Sequence, residues 1–279
     1  MSYGCEHRRF LARSPGVFSS VVLIRALSVA VLLISYIVPT LALTQQQSMH
    51  PVIARDPAAG SPAIVIGFVG GFVKHDNAVH AEVQLAARLR KQYPAGVDVE
   101  TFESYHGAKA LRRVLQLLGA NHGGSLTTEE KNNARIIIYG HSWGGAESLV
   151  LARALERDSI PVLLTVQVDS VSKLGVNGTV VPPNVLQAAN FYQSHGFVHG
   201  HAIRAADPAR TRIIGNFRVD YSASPLNCPA YPWYDRVFAR PHTQIECDPD
   251  IWNRVDTLIA LSLPSSPTSP SPRRVRPDP

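Results

Sequence analysis

Ser142 stands in the run Gly140, His141, Ser142, Trp143, Gly144, with Gly145 directly behind it. A serine hydroxyl is a poor nucleophile at neutral pH until a base takes its proton. That base in turn needs a carboxylate to fix its tautomer and to hold the charge it gains. Beyond Ser142 the chain offers His195, His199, His201 and His242 as bases, and Asp169, Asp220, Asp248 and Asp250 among its carboxylates. Acting together, such residues would perform acyl transfer through a covalent serine intermediate.

The elements around Ser142 are the ones such a nucleophile requires. Ile136, Ile137, Ile138 and Tyr139 form a short β-branched apolar run of the kind covered on both faces of a parallel sheet. Directly after the turn, Leu149, Ala152 and Leu155 fall on one helical stripe. A serine at the tip of so sharp a strand-to-helix turn is forced into strained backbone, and the residues two before and two after it must be small. Gly140 and Gly144 supply that room. The N–H of Trp143, at the helix N-terminus, then points at any negative oxygen forming beside Ser142. Gly-x-Ser-x-Gly with these flanks resembles the nucleophile elbow of the α/β-hydrolases, in their serine esterase and lipase branch.

The resemblance implies an α/β fold with a doubly wound, mainly parallel sheet in a single domain. It also implies that acid and histidine follow the serine in that order, on loops at the C-terminal ends of strands. The histidine should come last, on a loop ahead of the final helix, where His242 stands in ARPHTQIECDPDIW. Two acids compete. Asp169 ends the strand after the elbow helix, whereas Asp220 ends the next expected strand, the commoner acid position in the family. The phrase VQVDSV, followed by VPPNV and NFYQ, resembles bacterial hydrolase relatives and favours Asp169, with Asp220 as the alternative. Asp248 and Asp250 read as caps of the last helix. The oxyanion hole takes the N–H of Trp143 and a second N–H from the loop GFVGGFVKHDN, by analogy that of Phe68, with Val69 next. Here the sequence departs from the family, since Ile66 stands where a histidine is usual. His75 and Asp76 fall near the pocket rim, Asp76 as an N-cap.

The rest of the chain alternates as a parallel sheet requires. Strands are expected over 62–68, 97–102, 160–168 and 211–221, and helices over 77–93, 106–118 and 250–263. Thr127 and Glu130 form a capping box for one short helical turn. Residues 170–212 show no long periodic segment and read either as a stretch covering or bordering the substrate pocket or as a plain surface excursion. His199 and His201 could share a strand face as metal ligands, but no third residue with ligand spacing joins them. The reading therefore includes no metal and no organic cofactor. Asn177, Gly178 and Thr179 form a glycosylation sequon, whose plainer reading is a turn.

The ends are set apart by composition. In residues 1–42, Arg8, Arg9 and Arg13 precede an apolar run from Ala26 to Val38 and a small-residue site at Ala42. This reads as a cleaved signal peptide, or alternatively as a retained N-terminal membrane anchor, since 17–38 is long enough to span a bilayer although Arg25 interrupts it. Residues 43–60 read as a linker, 61–263 as the α/β-hydrolase domain, and 264–279 as a disordered tail rich in Pro, Ser and Arg. Export to the periplasm or medium, or anchoring with the domain outside the cytoplasm, makes Cys228 and Cys247 a disulfide pair. The formal net charge is +6, but most of it lies in the two end segments. A nearly neutral domain gives no support to nucleic-acid binding. The expected protein is thus an exported, monomeric serine hydrolase of small-molecule or lipid esters, with possible membrane association only through its N-terminal segment. An acyltransferase on the same residues, or a non-catalytic binding protein of this fold, are the alternatives.

Overall fold

The computed structural model describes residues 63–119 and 126–263. The signal or anchor segment, the linker and the C-terminal tail lie outside the described residues. Within them, β1 (Ala63–Val69) leads through α1 (Ala81–Gln92) to β2 (Val97–Glu103), followed by α2 (Gly107–Leu118) and α3 (Thr128–Asn132). Next come β3 (Arg135–His141), α4 (Trp143–Arg157) and β4 (Val162–Val168). Two-residue strands β5 (Val180–Val181) and β7 (Arg204–Ala205) flank β6 (Val185–Tyr192), and β8 (Arg212–Arg218) completes the strands. The chain closes through α5 (Trp233–Phe238), α6 (Arg240–Cys247) and α7 (Pro249–Ser262).

Six strands pair in the order β2-β1-β3-β4-β6-β8, all parallel, while β5 and β7 pair separately. This is the doubly wound α/β sheet expected from the sequence. The β-branched run of β3 is apolar throughout because both its faces are covered. Ile137 and Tyr139 pack with Leu85 and Leu89 of α1 and Trp252 and Val255 of α7. Ile136 and Ile138 pack with Val114 of α2 and Leu149 and Leu155 of α4. On one face Arg254 of α7 lies over the stacked rings of Phe191 and Phe217, fixing the last helix to β6 and β8.

The strand order dictates where a site can form. From β1 the chain steps outward to β2, then returns to the other side of β1 for β3. The connections leaving β1 and β3 therefore run to opposite faces, and a crevice opens at the carboxyl ends of those two strands. The loop after β1 and the turn after β3, which carries Ser142, meet there.

Three elements differ from the sequence expectation. Residues 170–212 were expected to lack a regular element, yet β6 is an eight-residue strand inside the main sheet. Its polar positions broke the apolar pattern: buried Asn190 bonds to the carbonyl of His201 and to Asn216 Oδ1 at 3.0 Å each. In consequence Asp220 does not follow the strand next to β4; it follows β8, one strand further out. The stretch 233–247, expected as a loop, holds α5 and α6, so His242 rides on a helix. Finally, α1 begins at Ala81 instead of 77, because the Asn77 side chain captures the N–H of Val79 and its carbonyl that of His80, in a turn before the helix. The capping box at Thr127 and Glu130 is present as expected, and the sequon asparagine Asn177 closes a turn on Thr179 and Val180.

Candidate active site

Ser142 sits between β3 and α4 with φ 56° and ψ −126°, a region L-residues rarely occupy. Its backbone is over-determined: its N–H donates to Val168 O at 3.0 Å, and its carbonyl accepts from Gly145 N and Val171 N. The two flanking glycines are there for space. A Cβ on Gly140 would stand 2.4 Å from Gly144 O, and one on Gly144 would stand 2.2 Å from Phe68 O. Any side chain at either position would drive strand, turn and helix apart.

Asp169 ends β4 with φ 42° and is fully buried. Burying a carboxylate is costly unless it is bonded on every side. Its Oδ1 accepts from Gln193 N at 3.0 Å and Gly200 N at 2.7 Å, and its Oδ2 from Gln193 Nε2 at 2.8 Å. The fourth partner is His242, whose Nδ1 lies 2.6 Å from Asp169 Oδ2. Asp220, by contrast, has a side chain 54% exposed and lies 3.5 Å from His195 Nε2. Of the two candidate acids, the fold brings Asp169 to His242 and leaves Asp220 with His195. Asp248 caps α7 through Asp250 N and accepts from Tyr221 Oη at 2.7 Å.

Ser142 and His242 line one cavity of about 680 Å³ at the crevice between β1 and β3. Its walls include Phe72, Val73, Trp143, Val171, Val198 and Tyr234, with the Phe72 and Trp143 rings edge-to-face at 5.3 Å. Phe68 lies within the sheet, in register with Gly140 on one side and Phe102 on the other. Val69 is paired only to β2, and Gly70 lies against the serine, a Cβ there standing 3.0 Å from Ser142 Cβ. Trp143 is the first residue of α4, where the N–H groups are free of helical partners.

The cavity is also lined by His80, His141, Asp235 and Glu246, and further polar groups stand around it. At the end of β2, Glu103 binds His75 Nδ1 at 2.9 Å and His106 Nδ1 at 2.8 Å. Burial pushes its carboxyl up, but these histidine contacts outweigh it and hold the pKa at about 2. His141 lies with its ring centroid 4.4 Å from that of His242. Burial, with His242 and His80 adding to it, lowers the His141 pKa far below the usual imidazole value, so this ring is neutral. Beyond His141 stand two buried carboxyls, Glu82 and Glu246. Burial raises both, Glu82 further through its neighbour Glu246, and Glu246 is pushed up to about 8.

Several of these residues escaped the sequence reading. Gln193 and Gly200 hold Asp169, but they lie in the stretch whose strand went unrecognised. His80, Glu82 and Glu246 carried one usable signal: Glu246 is four residues after His242, hence on the same face once 240–247 is a helix. The Cys228–Cys247 disulfide is present and closes a 19-residue separation around α6. His199 and His201 lie ring to ring at 4.7 Å. Among the described residues they join no group of three potential metal donors, whereas His80, Glu82 and Glu246 form one. Also among these residues, no helix is long and apolar enough to cross a membrane.

No family model matches the chain, and no curated protein matches it in sequence. Solved structures similar to it include RedJ, a thioesterase of the prodiginine biosynthetic pathway in Streptomyces coelicolor, at 10% identity and a TM-score of 0.38, covering 75% of this chain and 92% of that one. A serine hydrolase of the α/β class without a lid, from Xanthomonas campestris, is similar at 15% identity and a TM-score of 0.33, covering 75% and 87%. A sugar hydrolase from Lactococcus lactis is similar at 11% identity and a TM-score of 0.32, covering 71% and 90%. At such values the chemistry of this chain has to be read from its own atoms.

Proposed function

We propose that the protein is an exported serine hydrolase of the α/β-hydrolase type that cleaves carboxylic esters. The observation that carries this reading is the contact of His242 with buried Asp169 in the cavity that Ser142 lines from its strained turn. In this scheme Ser142 Oγ attacks the acyl carbon while its proton passes to His242 Nε2. Asp169 holds the opposite ring nitrogen and the charge the ring acquires. The tetrahedral oxyanion is held by the N–H of Trp143 and a second N–H from the segment beginning at Phe68, with Val69 next in line. His242 then protonates the departing alkoxide, leaving an acyl group on Ser142. Water, deprotonated by the same ring, attacks that acyl carbon and restores the serine. The apolar cavity wall favours an acyl group with a hydrocarbon chain over a charged one.

The test is turnover of nitrophenyl esters of rising chain length by the native protein and by Ser142→Ala. Hydrolysis by the native protein alone supports the reading; equal hydrolysis by both excludes Ser142 as nucleophile.

A further inference from the structure

The cluster beneath His242 holds buried polar atoms that have no hydrogen-bond partner. His80 caps the start of α1, Glu82 lies in its first turn, and Glu246 lies on α6. His80 Nδ1 is 2.5 Å from Glu246 Oε1, and His141 Nδ1 is 3.5 Å from Glu246 Oε2 and 3.8 Å from Glu82 Oε1. One donor atom from each of His80, Glu82 and Glu246 falls within 4.8 Å of the others. Glu82 is fully buried and neither of its oxygens has a hydrogen-bond partner; His141 is 2% exposed and neither of its ring nitrogens has one. Unsatisfied buried polar atoms are uncommon, and the Glu82 carboxyl with His141 Nδ1, which lies 3.8 Å from its Oε1, gathers three of them beside Glu246 and calls for an occupant.

We propose that His80, Glu82 and Glu246, with His141 at the edge, form a site for a divalent transition-metal ion, Zn²⁺ by its donor chemistry, that ties α6 to α1 behind His242. Two carboxylates and an imidazole are a common zinc donor set, and imidazole nitrogen disfavours Mg²⁺ and Ca²⁺. Ligand distances of about 2.1 Å place donors no more than about 4.2 Å apart, so only a small side-chain adjustment closes the set. Two buried carboxylates side by side are costly unless a cation offsets them, and the groups nearest to them here are histidine rings, not lysine or arginine. Access is open, since His80, His141 and Glu246 line the same cavity as Ser142. The clamp would make the three ligands positioning residues for α6, and its existence does not depend on the ester chemistry.

The test is calorimetric titration of the full-length protein, stripped with EDTA, with ZnCl₂ near neutral pH, alongside the visible spectrum with Co²⁺. One equivalent of Zn²⁺ should bind with Kd below about 1 μM, and Co²⁺ should give the ligand-field bands of a low-coordinate site. Glu82→Gln and His80→Gln should each weaken Zn²⁺ by about 100-fold or more. Circular dichroism checks that each variant is folded, and if Glu82→Gln is not, His80→Gln and the native titration decide. No saturable binding by the native protein, or binding unchanged in the folded variants, overturns the proposal, and the two carboxyls then share a proton instead.

Discussion

His242 Nδ1 and Asp169 Oδ2 lie 2.6 Å apart although 73 residues separate them. One rides on α6 near the end of the chain, and the other ends β4 in the middle of the sheet. The carboxylate end is rigid because two backbone N–H groups and the Gln193 amide saturate Asp169. The ring has its Nδ1 fixed on the acid, and His242 itself lines the cavity.

Asp169→Asn should therefore cost about 10⁴-fold in kcat, because the amide would favour the wrong tautomer of His242. Asp220→Asn should change kcat by less than about 3-fold, since Asp220 is exposed and pairs with His195. Steady-state kinetics on the best nitrophenyl ester check both, and the reverse ranking would transfer the acid role to Asp220.

The disulfide encloses α6 and with it His242. Replacing Cys228 and Cys247 with Ser should lower unfolding stability by about 3 kcal/mol, as expected for a loop of this length. Urea unfolding with and without reductant measures it, and an unchanged midpoint would mean that α6 is held by its other contacts alone.

Glu246 keeps its proton up to about pH 8 in the folded chain, whereas an unfolded glutamate releases it near about 4.3. Between those values the folded state binds more protons than the unfolded one. The stability this group contributes is complete below the ordinary carboxylate value and fades as pH rises through about 8. EDTA-treated protein should lose urea midpoint between about pH 4.5 and about pH 8, and Glu246→Gln, which has no such proton to lose, should flatten that slope. A midpoint that rises across this window would contradict the assignment.

Glu103 behaves in the opposite sense. Its pKa of about 2, set by His75 and His106 against the effect of burial, means that its contribution is present above the ordinary value and lost as pH falls toward 2. Glu103→Gln should reduce the acid sensitivity of unfolding between about pH 4.5 and about pH 2, measured by fluorescence. An unchanged acid profile would show that the histidine contacts do not bear on stability.

How much of this was legible in the sequence depended on how local each signal was. The elbow announces itself because strand, glycines, serine and helix are contiguous and every part has a steric reason. Asp169 and His242 could be proposed from their order along the chain, but their contact is a property of the fold. The strand β6 was missed because Gln187 and Asn190 interrupt an apolar pattern that holds only once Asn190 finds Asn216 on β8. The helix α6 was missed because RPHTQIEC has little apolar periodicity, and with it went the relation of His242 to Glu246 one turn on. Glu82 drew no reading at all, since burial of a charged residue cannot be read from its neighbours in sequence.

The central claim is an activated Ser142, and the most direct measurement is labelling of the full-length protein by a fluorophosphonate probe, with peptide mapping of the adduct. The expected result is a single stable adduct on Ser142, absent in Ser142→Ala and slowed strongly in His242→Ala. A folded native protein that takes no label, or takes it on another residue, would contradict a nucleophilic role for Ser142 and move the cavity from catalysis to binding.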